Sequence, residues 1–438
     1  MEMYMDYSKE PHLDILCIDV KSFYASVECV ARGLNPMQTM LVVMSNAENA
    51  GGLTLSASPM AKKVLGISNV SRRFEIPDHP KLLVVPPRMS LYIKKNLEIL
   101  DIFREFASDE DILVYSIDEA FLRVDAVKKL YQENAYQLAR HIQRKIYHKL
   151  GLYTTVGIGD NMLLAKLALD NEAKCATDFK AEWRYADVKR KVWKIHPITD
   201  FWGINKRTAK RLDYLGINSI YDLAHSDPHV LKREFGVMGL QYYAHAWGID
   251  RSDIQKRHHP KEKTIGLSQI LPKDYHTKRE IEIVLQEMSE QLTTRLRAQG
   301  LQTSCVSLGI GTAYHEISGG FHRQMSIDTT NQTKKIVHEI IELFNRYYQG
   351  EGVRSISVSC SKLTTSNVTQ LTIFEDPENS LRAQHLDHTI DTLRARFGFT
   401  SLLHAHSLMD GATSIQRSKL VGGHLAGEEV KEDDTKSV

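Results

Sequence analysis

"VYSIDEAFLRVD", residues 114–125, sets two adjacent carboxylates, Asp118 and Glu119, inside a run that otherwise reads as apolar strand. A buried carboxylate is costly unless it is paired, so a hairpin tip, an ion pair or a bound cation has to compensate this one. Neighbouring side chains of one straight strand point to opposite faces and would diverge. Two strands, "DILVYSI" and "AFLRVD", joined at Asp118-Glu119 would let both carboxylates converge at the tip. Asp-Glu is a poor two-residue turn, since neither residue favours positive φ, and the tip needs support from elsewhere. Asp19 offers it, at the end of "LDILCIDV" (13–20), a continuous apolar run of the kind that forms a buried strand. Three carboxylates can hold hard, oxygen-preferring Mg²⁺. Two such ions about 3.5–4 Å apart bind the attacking and leaving oxygens of an in-line phosphoryl transfer. The residues alone leave ordinary turn and helix-entry roles open for all three.

Working outward, Ser22 is placed to cap the helix "FYASVECVARGL". Strands "TMLVVMS" and "LTLSAS", a helix at "SPMAKKVLG" and a strand "KLLVVP" follow. Beyond the carboxylate pair come a helix "AYQLARHIQRKIYHKLG", a strand "YTTVGIG" and a helix "NMLLAKLALDNEAK". Residues 10–175 therefore read as an α+β domain. In "GIGDNMLLAK" the two glycines lack the third glycine of a dinucleotide loop, and the stretch reads as a strand-to-helix turn. Short helices and tight turns fill about 190–262. From about 265 to 365 the order is β-α-β-β-α-β, a ferredoxin-like unit. The ending "GGHLAGEEVKEDDTKSV" is polar and reads as disordered.

The 438 residues imply about two to four domains. With 42% hydrophobic and 25% charged residues, the composition is that of a soluble globular protein. No apolar run approaches the roughly 20 residues that span a bilayer, and the N-terminus lacks a secretory signal. The five cysteines are scattered without CxxC and read as reduced thiols of a cytosolic protein. The 19 histidines have no metal-ligand spacing, and His258-His259 reads as a solvated pair. Net charge is only +2, yet residues 191–263 hold 13 Lys and Arg against 8 Asp and Glu. Alone, that is weak support for phosphate binding.

"CIDVKSFYASVE", "PPRMSLYIK", "YSIDEAFLRVD" and "VGIGDNMLLAKLALDNEAK" occur in the order and spacing of the Y-family, or translesion, DNA polymerases. The resemblance covers roughly residues 10–410 and is nearest the bacterial polymerase IV/polymerase V-like branch and the Gram-positive UV-damage-repair proteins. It implies a right-hand polymerase with a ferredoxin-like palm (1–28 and 95–190), small fingers (29–94), a helix-hairpin-helix thumb (191–262) and a little finger (263–365). A C-terminal region (366–438) follows. The implied activity is template-directed, error-prone synthesis opposite damaged bases, with primer-template DNA and deoxynucleoside triphosphates as partners. A catalytically weak DNA- and clamp-binding factor is the alternative, and a monomer in the cytoplasm is implied either way.

By the resemblance, Asp19, Asp118 and Glu119 hold two Mg²⁺ ions, with the backbone carbonyl of Val20. Tyr24 aligns with the aromatic steric gate beneath the incoming sugar, flanked by Phe23, and Lys174 with a triphosphate contact. Tyr92 resembles a pocket residue. Many relatives carry Tyr and, three residues on, Arg in the segment over the phosphates; here it reads "ASPMAKKVLG", with Lys62 or Lys63 in place of Arg. Lysine keeps the charge but loses bidentate geometry. "FWGINKRTAKRLDYLGINSIYDLA" (201–224) resembles a helix-hairpin-helix, in which Gly203 opens the hairpin. Asn205 replaces a second glycine and is expected to tolerate its positive φ. Lys206, Arg207, Lys210 and Arg211 lie along the phosphate path. Arg297 and Arg354 are further phosphate candidates beside strands. "QLTIF" (370–374) resembles the motif that binds the replicative sliding clamp: Leu371, Ile373 and Phe374 would fill a groove and Gln370 its rim.

Overall fold

The computed structural model describes residues 6–45, 51–256, 263–316, 319–365 and 377–427. The chain divides into two compact units, one running to Arg257 and resuming at His424, the other from His258 to Gly423.

In chain order the first unit carries β1 (Ile15–Val20), α1 (Phe23–Ala31), β2 (Leu41–Ser45), β3 (Leu53–Ala57), α2 (Pro59–Leu65) and β4 (Leu83–Val85). Then come α3 (Met89–Arg104), β5 (Ile112–Val114), β6 (Glu119–Arg123), α4 (Asp125–Tyr131), α5 (Ala135–Leu150), β7 (Thr154–Gly159), α6 (Met162–Ala168) and β8 (Lys180–Trp183). Four helices close it: α7 (Lys206–Asp213), α8 (Ile220–His225), α9 (Pro228–Phe235) and α10 (Val237–Ala246). The main sheet has the order β5-β6-β1-β7-β8, and β3-β2-β4 form a small second one.

Apart from Asp19, β1 is apolar because both its faces are covered. Ile15 and Cys17 join the core built around α6, while Leu16, Ile18 and Val20 join the core of α1, α3 and α5. The glycines of β7 let α6 lie directly on the sheet: a Cβ at Gly157 would stand 2.0 Å from Ala165 O, and one at Gly159 2.4 Å from Ala165 N. Asn161 caps α6, its side chain accepting from Leu164 N–H at 2.9 Å.

Three local expectations change. The turn between β5 and β6 spans residues 115–118, with Tyr115 and Ser116 N–H both bonded to Glu119 O at 3.0 Å. A two-residue tip at Asp118-Glu119 would have needed positive φ, and the longer turn avoids it. Ser22 makes no side-chain cap; it is left-handed at φ 51, and the Ser56 hydroxyl accepts from Ala25 N–H at 3.4 Å instead. Residues 422–427 are folded, with Ala426 O accepting from Ser90 N–H at 2.9 Å. The short α4 and β8 had no clear periodicity and were not anticipated.

The second unit runs β9 (Ile265–Tyr275), α11 (Lys278–Ala298), β10 (Leu301–Thr312), β11 (Phe321–Thr330), α12 (Thr333–Tyr347) and β12 (Val353–Thr365), the expected β-α-β-β-α-β order. Its antiparallel sheet, β11-β10-β12-β9, packs α11 and α12 on one face. The other face carries small residues, Ser355, Ser357 and Ser359 of β12 against Ile270, Ser268 and Gly266 of β9. After β12 the chain forms α13 (Pro377–Phe397) and the short α14 (Ser414–Arg417). Buried Glu287 of α11 receives the start of α14, accepting from Thr413 N–H at 2.8 Å and Ser414 N–H at 3.1 Å.

Candidate active site

Asp19 and Glu119 face each other across β1 and β6. They share the parity of Cys17 and Phe121, which point into the α6 core, so both carboxylates project toward α6. Asp118 is the last residue of the turn; its carbonyl accepts from Val20 N–H at 2.9 Å, and its carboxylate from the Ser116 hydroxyl at 2.7 Å. A cavity of about 650 Å³ opens over Asp19, Val20 and Asp118 and is walled by Phe23, Tyr24, Lys62, Lys63 and Lys174. Eight of the residues singled out in the sequence thus meet in one space.

Glu119 is the exception. Its carboxylate turns from the cavity to Lys166 Nζ, 2.8 Å away, and accepts the Cys17 thiol at 3.0 Å. Burial, and then Glu119, pushes the Cys17 thiol well above its usual range. Lys166, itself buried, goes up too: desolvation, the largest single effect, opposes its charge, but the bond to Glu119 and the nearby negative groups, Asp170 among them, together outweigh it. Among the described residues no three His, Cys, Asp or Glu side chains are gathered closely enough to hold a metal as they stand. The donor chemistry nevertheless fits a divalent cation. Burial raises the Asp19 carboxyl to about 6; Lys174, 4.0 Å away, offsets part of this, and the charges of Asp118 and Glu119 add to it. A cation relieves such crowding.

Lys174 reaches Asp170 at 2.7 Å; burial disfavours its charge, but Asp19 and Asp170 raise its pKa overall. Lys21, which the sequence did not single out, joins the same wall. Its Nζ donates to Lys174 O at 3.0 Å and sits 4.3 Å over the Phe179 ring. Burial lowers the pKa of both Lys21 and Lys62. Lys166 was also missed, although "LLAKLALDNEAK" places it two helical turns before Lys174.

Tyr92 does not line the cavity. It is fully buried and stacks under Tyr24, with centroids 4.5 Å apart and planes 16° apart. Its hydroxyl donates to Glu28 at 2.8 Å. Glu28, also fully buried, takes a bidentate bond from Arg88 at 3.0 and 2.7 Å and a further one from Arg32. The aromatic pair therefore rests on an internal ion cluster.

Along the hairpin, Gly203 has the expected positive φ of 93°. Asn205 does not: at φ −88° it is extended and caps α7, accepting from Arg207 and Thr208 N–H at 3.0 and 2.9 Å. Its amide is used as a cap, so left-handed tolerance was not what selected it. Lys206, Arg207 and Lys210 are exposed, and Arg211 pairs with Glu234 at 2.7 Å. Arg297 is not presented for phosphate. It is nearly buried and bonds Asp391 at 2.6 Å, Asp387 at 3.3 Å and Asn331 O at 2.8 Å. Arg354 is exposed, 3.5 Å from Asp274. Gln370, Leu371, Ile373 and Phe374, and the His258-His259 pair, lie outside the described residues.

Residues 18–170 match the impB/mucB/samB family, 185–217 the IMS family HHH motif, and 262–373 the impB/mucB/samB family C-terminal domain. "Putative UV-damage repair protein UvrX" of Bacillus subtilis (strain 168) is 42% identical over 421 residues, 96% of this chain and 99% of that protein. "DNA polymerase IV 2" of the same strain is 33% identical over 94% of this chain and 98% of its own length. The solved "Y-family DNA polymerase chimera Dbh-Dpo4(243-245)-Dbh" matches with a TM-score of 0.64 at 21% identity, covering 81% of this chain and all of that one. That likeness establishes the fold: palm, helix-hairpin-helix thumb and C-terminal little finger.

Fold and relatives together define a Y-family DNA polymerase, a class that works on DNA and deoxynucleotides with bound metal ions. Within that class the chain belongs to the impB/mucB/samB family. No helix among the described residues is long and apolar enough to cross a membrane.

Proposed function

We propose that this polymerase extends primers past damaged template bases by phosphoryl transfer supported by two Mg²⁺ ions. The observation that carries the reading is one cavity in which Asp19 and Asp118 face four lysines, Lys21, Lys62, Lys63 and Lys174. Acids of that kind suit hard cations, and amines suit a triphosphate. Asp19, Asp118 and the Val20 carbonyl would hold the ions, joined by Glu119 once its carboxylate turns from Lys166. Bound there, the ions would neutralise charge at the reacting phosphate. Asp19 and Asp118 orient that site, and the lysines fix the triphosphate so that the primer end meets it in line.

Phe23 and Tyr24 lie where the sugar would sit. Tyr24→Ala is expected to raise ribonucleotide use about 100-fold relative to deoxynucleotides, read as the ratio of kcat/KM values. An unchanged ratio would remove Tyr24 from that role. Gly203, Asn205, Lys206, Arg207, Lys210 and Arg354 would carry phosphates without reading bases. Palm (1–28 and 95–190), fingers (29–94), thumb (191–262) and little finger (263–365) are the domain assignment. The segment 370–374 would engage a sliding clamp, and the protein would act in the cytoplasm as a monomer.

The raised Asp19 pKa fixes the sign of a pH effect. Ionised Asp19 is penalised in the fold, so its part of the stability is lowest above about pH 6 and recovers as pH falls toward 4. A cation removes that penalty, and protons compete with it. Mg²⁺ should therefore raise Tm clearly near about pH 7.5 and much less near about pH 5.5. Equal shifts at both would argue against Asp19 as a ligand. The direct test is primer extension with Mg²⁺ on intact and lesion-bearing templates. Extension past the lesion is the expected result, and none on either template would sink the proposal.

A further inference from the structure

Lys166 and Lys174 stand eight residues apart with Asp170 midway. On a regular α-helix, eight residues overshoot two turns by about 80°. Here a π turn, Leu169–Ala173, widens the helix between them, a local insertion that often marks functional sites. Both lysines reach the same carboxylate: Lys166 Nζ lies 3.1 Å and Lys174 Nζ 2.7 Å from Asp170. Lys166 also holds Glu119 at 2.8 Å, and Lys174 stands 4.0 Å from Asp19. The five groups form one line, Glu119–Lys166–Asp170–Lys174–Asp19, with Asp170 at its centre.

We propose that Asp170 is a positioning residue that shares the charge of Lys166 and Lys174 and thereby keeps the carboxylate site open to divalent metal. The inference rests on the metal-dependent reading above. Along this line three carboxylates face two ammonium groups, so it keeps one net negative charge; without Asp170 it would be neutral. Without it, Lys166 turns wholly to Glu119 and Lys174 closes on Asp19, and metal must displace a full ion pair. Lys174 would also lose the contact that holds it short of Asp19, where a triphosphate can reach it. Asp170 is partly exposed and borders a separate cavity of about 660 Å³ beside the 199–205 hairpin, so it can be replaced without opening a core.

The test is Mn²⁺ binding to the full chain without DNA, followed by electron paramagnetic resonance, for the parent, Asp170→Asn, Asp170→Glu and Asp118→Ala. Asp170→Asn should bind Mn²⁺ about tenfold more weakly, while Asp170→Glu, which keeps the charge, stays within about twofold of the parent. In primer extension, Asp170→Asn should raise the nucleotide KM more than it lowers kcat at saturating metal. Parent-like binding by Asp170→Asn would overturn the inference, as would equal weakening in the Asn and Glu variants with a lowered Tm, which marks a merely structural role. If the parent binds no more Mn²⁺ than Asp118→Ala, the metal-dependent reading itself falls.

Discussion

Asp118→Ala should cut primer extension by at least about 1,000-fold while leaving Tm within about 2 °C. The two effects separate because of where Asp118 sits. It ends a turn, is partly exposed, and its carboxylate accepts from the Ser116 hydroxyl of the same turn. The bond that joins the turn to β1 runs from Val20 N–H to the Asp118 carbonyl and survives the substitution. Loss of the carboxylate removes half of the acid pair lining the cavity, and with it the charge that would bring metal to the reacting phosphate. Single-turnover extension at saturating nucleotide, beside thermal unfolding, reads both quantities. A fall of less than about tenfold would show that Asp118 is no ligand.

The largest effect on stability is expected at Glu28, well away from the reacting groups. Glu28→Ala leaves Arg88, Arg32 and the Tyr92 hydroxyl without their common acceptor. Removing one partner of a buried ion pair costs about 3–5 kcal/mol. The two arginines keep roughly a third of their side chains in solvent, so about 3 kcal/mol is the appropriate end, or roughly 10 °C in Tm for a unit of this size. Tyr92→Phe, which deletes only one hydroxyl, should cost about 1–2 kcal/mol. If both variants melt within about 2 °C of the parent, the cluster does not support the aromatic pair as described.

Sequence reading found what is local. The acid pair, the two-sided apolar run ending in Asp19 and the β-α-β-β-α-β order each leave a short-range pattern. It missed what depends on distant partners. That Glu119 would be claimed by Lys166, 47 positions later, cannot be read from either neighbourhood. Arg297 looked available until α13 brought Asp387 and Asp391 onto it, and α13 itself has no clean apolar stripe to announce it. Asn205 was read for its backbone tolerance, but its side chain decided the matter by capping α7.

The two-sided burial of β1 has one more consequence. An ordinary amphipathic strand records its own alignment, because a slip by one position turns its oily face outward. β1 is oily on both sides, and hydrophobicity is nearly blind to such an error. The charges are not. A one-residue slip would drive Asp19 among the aliphatic side chains of α3 and α5 and break its juxtaposition with Glu119, which Lys166 fixes in place. The groups placed for chemistry thus also serve as the alignment marks of the sheet that carries them, penalising any pairing in which they would not meet.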